Sequence, residues 1–331
     1  MPALEIDEIT TTAGLEELAP AWDDLWRRTP AATPFQSPAW LLPWWREIGA
    51  GELRVLLARR AGRLVGLLPM YLQHGNGKLL PLGIAISDYL DGLFEEDDAP
   101  TVADAMLQRL DDRRDWQRCE LHPLPKGSPL LEARPPPGCG DEVVGFEPCL
   151  AVEIPAGARE LGDILPPKIR ANIRYFRRRA EQAGRVAFET ATALTFTEVL
   201  DALFRLHDAR WHQLEQPGVL ADPAIRRFHR AAAPLLLSSG LLRLHALRLD
   251  QRIIAAMYAF HAQGRAYVYL SGFDPECAAL SPGTLIFGHG IAQAIGEGAR
   301  EFDFLRGRER YKYFWGARER PCYGRMLDRA G

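Results

Sequence analysis

The sequence predicts a mixed α/β (α+β) protein of two tandem units, each with a mostly antiparallel mixed sheet flanked by helices. Two segments, 58–72 and 246–260, share one pattern of strand, turn, arginine and apolar strand. Each follows two predicted helices and precedes a strand and a helix, which indicates an internal repeat. The length of 331 residues also exceeds that of one typical domain. We therefore place the units at residues 1–148 and 149–331.

Composition restricts the class of protein. A hydrophobic content of 47% and a charged content of 25% are typical of a globular protein. The formal net charge of −3 provides no overall attraction for DNA, so we expect no DNA partner. The chain has no membrane-spanning apolar run, and its acidic N-terminus does not resemble a signal peptide, so we expect a cytoplasmic location. The five cysteines lack C-x-x-C spacing and no H-E-x-x-H motif occurs, so we expect no metal site.

The first unit is predicted to contain two helices, a hairpin, a strand, a short helix and a final strand. Apolar residues at helical spacing indicate the helices, and Ala61-Gly62 indicates the hairpin turn. The elements span residues 15–29, 37–45, 53–72, 79–84, 101–114 and 118–122. Residues 123–148 hold seven of the 25 prolines, and we interpret them as an irregular linker.

The second unit is predicted to begin with a strand and a basic helix, followed by a strand and two helices. A three-stranded meander with turns at Asp250-Gln251 and Gln263-Gly264 comes next, and a helix and a strand follow it. The elements span residues 150–155, 166–185, 186–191, 195–215, 222–237, 241–249, 252–262, 265–273, 281–299 and 301–305.

The helix that starts at Ser281-Pro282 is a candidate phosphate site. The first amides of a helix are unpaired and carry a partial positive charge, which suits a phosphate or pyrophosphate. Gly283, Thr284 and Gly288 let a ligand approach the helix closely, although glycines there also suit close packing against a sheet.

Polar residues after this helix form a second group of candidates. Asp303 alternates with two phenylalanines on a strand, so its carboxylate faces away from their rings and is a candidate to orient or deprotonate an acceptor. The alternative is a salt bridge to a nearby arginine. Arg306 and Lys312 follow on a loop among aromatic residues and are candidates for binding an anionic substrate.

Seven basic residues lie between Lys168 and Arg185, with Glu181 as the only acidic residue among them. This exceeds what local ion pairing needs, so the helix, including Arg174 and Arg178, is a candidate site for a phosphorylated ligand. A solvated helix face is the alternative. The sequence does not choose between a phosphorylated lipid, tRNA and a cofactor phosphate.

The order of elements resembles two copies of the GNAT acyltransferase fold, as in the FemAB-type transferases. The resemblance is strongest to the acetyltransferases called BioF2-like or CelD-like. It rests on TPFQSPAWLLPWW, ISDYLDGLF, PPKIRANIRYFRRRAEQAG and LSPG…GAREFDFLRGRERYKYFWG, which occur in the expected order over most of the chain. One segment departs from the GNAT pattern, because residues 274–283 lack the Q/R-x-x-G-x-G/A loop that holds the pyrophosphate of coenzyme A.

This resemblance implies an acyltransferase with acetyl-CoA as the co-substrate and the donor in the second unit. It implies that the strand carrying Tyr269 and Ser271 polarises the thioester carbonyl, with Ser271 as a cofactor-binding residue and the tyrosine as proton donor. A packing role on the strand is the alternative for the tyrosine. It also implies that the acceptor lies against the first unit, where Asp88 is the candidate. An Asx-type turn is the alternative for this residue.

The function expected from the resemblance is N- or O-acetylation of a sugar, exopolysaccharide or cell-envelope precursor by direct attack on the thioester. No G-x-S-x-G motif occurs, which agrees with a mechanism without a covalent enzyme intermediate. The alternatives are an aminoacyl-tRNA-dependent FemAB-like transferase and a non-catalytic binding module. The sequence does not give the acceptor or the oligomeric state.

Overall fold

The computed structural model describes residues 2–213 and 215–329. The chain divides into two compact units. The first comprises Met1–Pro148 with Arg320–Gly331, and the second comprises Cys149–Glu319. The second unit is thus an insertion in the first, whereas the sequence assigned all of 149–331 to one unit.

The first unit contains two small sheets rather than one. Its elements are β1 (Leu4–Ile9), α1 (Thr12–Glu17), α2 (Ala19–Arg28), α3 (Pro38–Glu47), β2 (Gly51–Leu53), β3 (Val55–Arg60), β4 (Arg63–Leu68), β5 (Met70–Gln73), β6 (Lys78–Pro81), β7 (Leu93–Phe94), α4 (Ala99–Arg109), β8 (Arg118–Pro125), α5 (Pro129–Glu132) and the first part of β9 (Cys139–Glu153). One sheet has the antiparallel order β1-β3-β4-β7. Pro69, between β4 and β5, cannot donate a ladder hydrogen bond, and the chain passes there to the second sheet.

The second unit has a six-stranded sheet of mixed direction. Its elements are the end of β9, α6 (Pro167–Ala183), β10 (Val186–Thr190), α7 (Phe196–Gln213), α8 (Pro223–Ser238), β11 (Leu242–Leu249), β12 (Arg252–Ala262), β13 (Arg265–Phe273), α9 (Pro282–Gly296), β14 (Glu301–Arg306) and α10 (Arg310–Phe314). The strand order is β10-β11-β12-β13-β14-β9, antiparallel except between β13 and β14. The predicted fold class, with antiparallel-dominated sheets flanked by helices, is confirmed.

Helices cover both faces of this six-stranded sheet. On one face, α6 and α9 pack over a core that includes Met257 of β12 and Phe302 of β14. On the other face, α7 lies against β12 and β13, and the ring of His229 on α8 contacts that of Tyr258. The sheet is therefore buried on both sides, as the apolar runs of its strands require.

A last strand, β15 (Arg318–Arg329), enters the first unit at residue 320. It pairs antiparallel with β8, and the order continues as β15-β8-β6-β5-β2. Its Arg325 is only 2% exposed and makes two hydrogen bonds of 2.8 Å to the carboxylate of Asp141. This ion pair ties the end of the described chain to β9.

The hairpin turns at residues 61–62, 250–251 and 263–264 are confirmed. The interpretation of residues 123–148 as an irregular linker is wrong, because they contain α5 and the first ten residues of β9. Six of these ten residues are exposed, and the apolar alternation of Val144 and Phe146 is too short to be a clear strand signal.

None of the helices in the described part of the chain is long and apolar enough to cross a bilayer.

Candidate functional site

The sheet of the second unit opens between β13 and β14. The two strands pair only from Arg265 to Tyr267 on β13 and from Glu301 to Asp303 on β14. Beyond this, β13 continues to Phe273 without a partner on that side in the described chain. A bulge at Tyr269 also bends β13, because the register with β12 shifts there. Backbone groups of β13 after the bulge are thus available on the side of the opening.

A cavity of about 350 Å³ lies beside this opening. It is mainly apolar, and its volume lies in the range typical of small-molecule sites. Its walls come from the end of β13, the start of α9, α7 and α10. The lining residues are Arg210, Ser271, Gly272, Phe273, Ala278, Ser281, Pro282, Gly283, Thr284, Ile286, Phe287, Tyr311, Phe314 and Trp315.

The N-terminus of α9 faces this cavity. Ser281 adopts a left-handed conformation with φ of 49°, and its hydroxyl is 2.8 Å from that of Thr284. The hydrogen bond from the Leu285 amide to the Ser281 carbonyl (3.3 Å) is the first of the helix, so the amides of Gly283 and Thr284 have no intrahelical acceptor. These donors and the helix dipole suit an anionic group. Three predicted cofactor-binding residues, Ser271, Gly283 and Thr284, are thereby brought together.

Arg210 on α7 contributes a positive charge to the same cavity. Its guanidinium carbon lies 5.3 Å from the centroid of the Phe273 ring. No carboxylate in the described part of the chain forms an ion pair with it. The sequence did not predict a role for Arg210. The pattern of residues in α7 does not show that this helix packs beside the end of β13, about sixty residues later in the chain.

Tyr311 places a phenol in the cavity wall. Its ring packs against those of Phe287 and Phe304, with centroids 5.5 and 6.2 Å away. Desolvation raises the pKa of Tyr311 to about 12, with the charge of Glu309 acting in the same direction, although 38% of the residue is exposed. The phenol is therefore protonated at neutral pH. The sequence placed this tyrosine among interleaved aromatic residues without giving it a role.

Asp303 lies outside the residues that line the cavity. It is 1% exposed, and the neighbouring Phe302 and Phe304 belong to the core beside α9, as the alternation predicts. Its Oδ1 accepts a hydrogen bond of 2.7 Å from the amide of Leu305, which has φ of 59°. The observed contact stabilises a left-handed residue in β14, and the catalytic role stays a prediction.

Lys312 is buried, at 2% exposure, and contacts the same turn. Its Nζ donates to the carbonyl oxygens of Leu305 (3.2 Å) and Arg306 (2.5 Å) and lies 2.9 Å from the Glu309 carboxylate. Arg306 is half-buried at the end of β14. Neither residue lines the cavity, and their substrate-binding role stays a prediction.

Tyr269 and Gly288 also lie away from the cavity wall. The Tyr269 ring contacts Tyr258, Phe260 and His229, with centroids 5.5 to 5.9 Å apart, on the face covered by α7 and α8. A Cβ at Gly288 would lie 3.1 Å from the Ile173 side chain, so the glycine is explained by packing of α9 on α6. Their assigned roles remain predictions.

The remaining candidates occupy other surfaces. Asp88 is 7% exposed in a loop of the first unit. Arg174 and Arg178 are exposed on α6, and Arg174 lines a separate open depression of about 360 Å³ with Arg159 and Arg170. Among the described residues, the ion pair between Arg177 and Glu181 is the only one made by α6.

Within residues 2–213 and 215–329, no group of three or more His, Cys, Asp and Glu side chains is placed to hold a metal ion.

Comparison with known proteins identifies the class of the second unit. Residues 167–313, from the start of α6 to α10, match the model of the acetyltransferase (GNAT) domain. The second unit is therefore an acyltransferase domain. It belongs to the GNAT superfamily, as the resemblance implied, so the chain is an enzyme of the acyltransferase class. A comparison with curated proteins gave no significant match.

Solved structures show that the fold extends over both units. FemX superposes with a TM-score of 0.69 at 11% identity, over 98% of this chain and 96% of FemX. The C-terminal domain of a putative lysylphosphatidylglycerol synthetase from Agrobacterium fabrum gives a TM-score of 0.61 at 14% identity, over 96% of this chain and 92% of that one. A tandem GNAT protein from the clavulanic acid biosynthesis pathway gives 0.50 at 15% identity, over 99% of each chain.

Proposed function

We propose that the protein transfers an acyl group from an acyl-CoA thioester, with acetyl-CoA as the leading donor. The acceptor is an amine or hydroxyl of a sugar, exopolysaccharide or cell-envelope precursor. One observation carries the proposal. The first amides of α9 and the guanidinium of Arg210 converge on one cavity beside the opening between β13 and β14. An acyl-CoA is extended and carries an anionic pyrophosphate, so it matches a cavity with an apolar wall and positive charge at one end.

The residues at the start of α9 fit a pyrophosphate even though the usual glycine-rich loop is missing. The amides of Gly283 and Thr284 and the hydroxyl of Thr284 are donors at the cavity wall. A Cβ at Gly283 would be 3.5 Å from the Phe273 ring, an ordinary contact, so packing alone does not require glycine there. A phosphate at that position would also lie against the positive end of the helix dipole.

The chemistry follows from this placement. The lone pair of the acceptor attacks the thioester carbonyl carbon, and backbone donors of β13 beyond the bulge stabilise the oxyanion that forms. The carbon–sulfur bond then breaks, and the thiolate takes a proton from the Tyr311 hydroxyl. The acceptor loses its proton to a base, and Asp303 is the predicted base. The products are the acylated acceptor and free coenzyme A.

Calorimetry with acetyl-CoA and with coenzyme A tests the proposal. Replacing Arg210 with methionine keeps the apolar stem and removes the charge, and we expect about tenfold weaker binding of both ligands. Arg300→Met is the matched control, because Arg300 is exposed beyond the opposite end of α9. Absence of binding by the wild-type protein, or equal loss in both variants, contradicts the donor assignment.

The exposed face of α6 supports a second candidate, transfer from an aminoacyl-tRNA. Arg174, Arg178 and Arg179 are exposed and form no ion pair with any carboxylate of the described residues. Such a cationic face suits a phosphate backbone. Electrophoretic mobility shift with total tRNA, compared between the wild type and an Arg174→Gln/Arg178→Gln variant, tests this candidate. Unchanged mobility of the RNA with the wild-type protein excludes it.

A further inference from the structure

The first unit contains a second cavity, of about 220 Å³. It lies between the segment that follows α2, the loop and strand around β7, and the loop between β8 and α5. Among the described residues, the charged ones that line it are Asp91 and Glu96, so its electrostatic character is acidic. Tyr89 and Phe94 add aromatic surface. In the part of the chain that the structure describes, no basic side chain lines this cavity to balance the carboxylates.

Asp91 is held in one orientation by its own loop. Its Oδ1 accepts hydrogen bonds of 2.8 Å from the Ser128 hydroxyl and 2.8 Å from the Gly92 amide. Within residues 2–213 and 215–329, no donor or cation contacts Oδ2, although Asp91 is half-buried in the cavity wall. One oxygen is therefore used to fix the carboxylate, and the other is free for a ligand.

Backbone strain is present at the same loop. Tyr89 adopts φ of 58°, a left-handed conformation that is unfavourable for a residue with a Cβ. Its carbonyl accepts a hydrogen bond of 3.0 Å from the Asp91 amide. Strained residues are concentrated at ligand sites, where the surrounding structure maintains a particular side-chain arrangement. Here the strained residue is itself part of the cavity wall.

The environment of Asp91 favours a cationic occupant. Burial raises the pKa of Asp91 to about 7, and the hydrogen bonds from Ser128 and Gly92 only partly oppose this. An unpaired carboxylate in such a place is unfavourable, and a bound cation removes the penalty. A divalent metal needs several oxygen ligands, whereas a single carboxylate oxygen with aromatic neighbours suits an ammonium group.

We propose that this cavity binds a small ligand with a primary ammonium group and an apolar stem. The ammonium group donates to Asp91 Oδ2, and the stem lies against Tyr89 and Phe94. Glu96 adds a weaker attraction at the cavity mouth, because it is exposed. This site belongs to the first unit and does not depend on the acyl donor assigned to the second.

Saturation-transfer NMR titration with n-butylammonium at pH 8 tests the proposal, with 1-butanol as its uncharged isostere. We expect n-butylammonium to bind at least about tenfold more tightly than 1-butanol. Asp91→Asn keeps an oxygen acceptor for Ser128 and Gly92, and we expect it to reduce the affinity for n-butylammonium to that for 1-butanol. Glu96→Gln is expected to reduce it by about twofold.

Asp97→Asn is the matched control, because it removes an exposed carboxylate that does not line the cavity. We expect it to change the affinity by less than about twofold. Thermal unfolding of each variant confirms that the first unit is folded. Equal binding of the two probes by the wild type, equal binding by the wild type and Asp91→Asn, or no saturable binding of n-butylammonium overturns the proposal. None of these readouts involves acyl transfer, so their failure is distinct from failure of the proposed reaction.

Discussion

The carboxylate of Asp303 accepts a hydrogen bond from the amide of Leu305, two residues later in the same strand. Leu305 is left-handed, and the register of β14 with β9 shifts between Asp303 and Arg306. The side chain therefore stabilises an irregular strand end by replacing a ladder hydrogen bond. Asp303 therefore has a structural role, and a test of its predicted catalytic role must distinguish the two.

Asp303→Ala is expected to lower the free energy of unfolding by about 1–2 kcal/mol, because the buried Leu305 amide loses its acceptor. Asp303→Asn retains an acceptor oxygen and is expected to lose less than half of that. Urea unfolding measures both. If Asp303→Asn is stable yet its kcat falls about 100-fold or more, the predicted base is supported. Unchanged kcat in that variant removes Asp303 from the mechanism.

The Lys312→Met variant tests whether this lysine stabilises the fold or binds the substrate. Its ammonium group is buried against two carbonyl oxygens and Glu309, so we expect the free energy of unfolding to fall by about 2–3 kcal/mol. Arg308→Met is the control, since Arg308 is exposed and pairs with Glu319 on the surface. Its stability should equal that of the wild type. A stable Lys312→Met protein with weakened acceptor binding contradicts the structural role.

Gly272 and Gly283 both line the cavity of the second unit, but they differ in the space around them. A Cβ at Gly272 would lie 2.6 Å from the backbone nitrogen of His207, whereas one at Gly283 meets only the Phe273 ring at 3.5 Å. We expect Gly272→Ala to destabilise the protein by about 2 kcal/mol or more. Gly283→Ala should be neutral or stabilising by about 0.5 kcal/mol. Chemical denaturation of the two variants compares them directly, and equal stability disproves the backbone clash.

Tyr311→Phe tests the proton donor for the leaving thiolate. The phenol is protonated at neutral pH, since its pKa is raised to about 12 by burial. We expect kcat to fall by about 100-fold while the dissociation constant of acetyl-CoA is retained, because the ring remains in place. Thiol release and calorimetry measure the two quantities. Tyr313→Phe removes a hydroxyl that donates to Glu319 (2.6 Å) outside the cavity, and it should keep kcat.

The stability of the first unit should fall as pH rises, through Asp91. Its folded pKa, about 7, lies above the value of about 3.9 for an unfolded aspartate, so the folded state binds more protons between these values. The free energy of unfolding therefore decreases from pH 4 to beyond pH 7. Relative to the wild type, Asp91→Asn should gain about 2–3 kcal/mol between pH 5 and pH 8. A gain that does not change with pH contradicts the raised pKa.

The sequence was sufficient for elements with strong local patterns. The hairpin turns, the start of α9 at Pro282 and the strand beginning at Glu301 all follow from turn residues and apolar periodicity. It was insufficient for β1 and for β15, whose proline and charged residues hide its pairing. The alternation of Leu4 and Ile6 was a signal that would have revealed β1.

The candidate site also contains both residues that the sequence predicted and residues that it did not. Gly283 and Thr284 were predicted because the start of the helix at Ser281-Pro282 is visible in the sequence, and Ser271 was implied by the resemblance to the GNAT fold. Arg210 was not predicted, because its position in the cavity depends on how α7 packs on the sheet. Asp88 was chosen in the first unit, yet the residue that lines a cavity there is Asp91, three positions later in the same motif. The direction in which a loop side chain points depends on the backbone angles of the loop, and the sequence does not show these angles.

The insertion of the second unit between β9 and β15 has a consequence for synthesis on the ribosome. Translation produces residues 149–319 in full before Arg325, the buried partner of Asp141, leaves the exit tunnel. The second unit has its complete set of strands at a time when the first lacks one. A chain that ends at residue 319 and is free of the ribosome should therefore acquire protease resistance in the second unit but not in the first, which reverses the usual order of maturation along a two-unit chain.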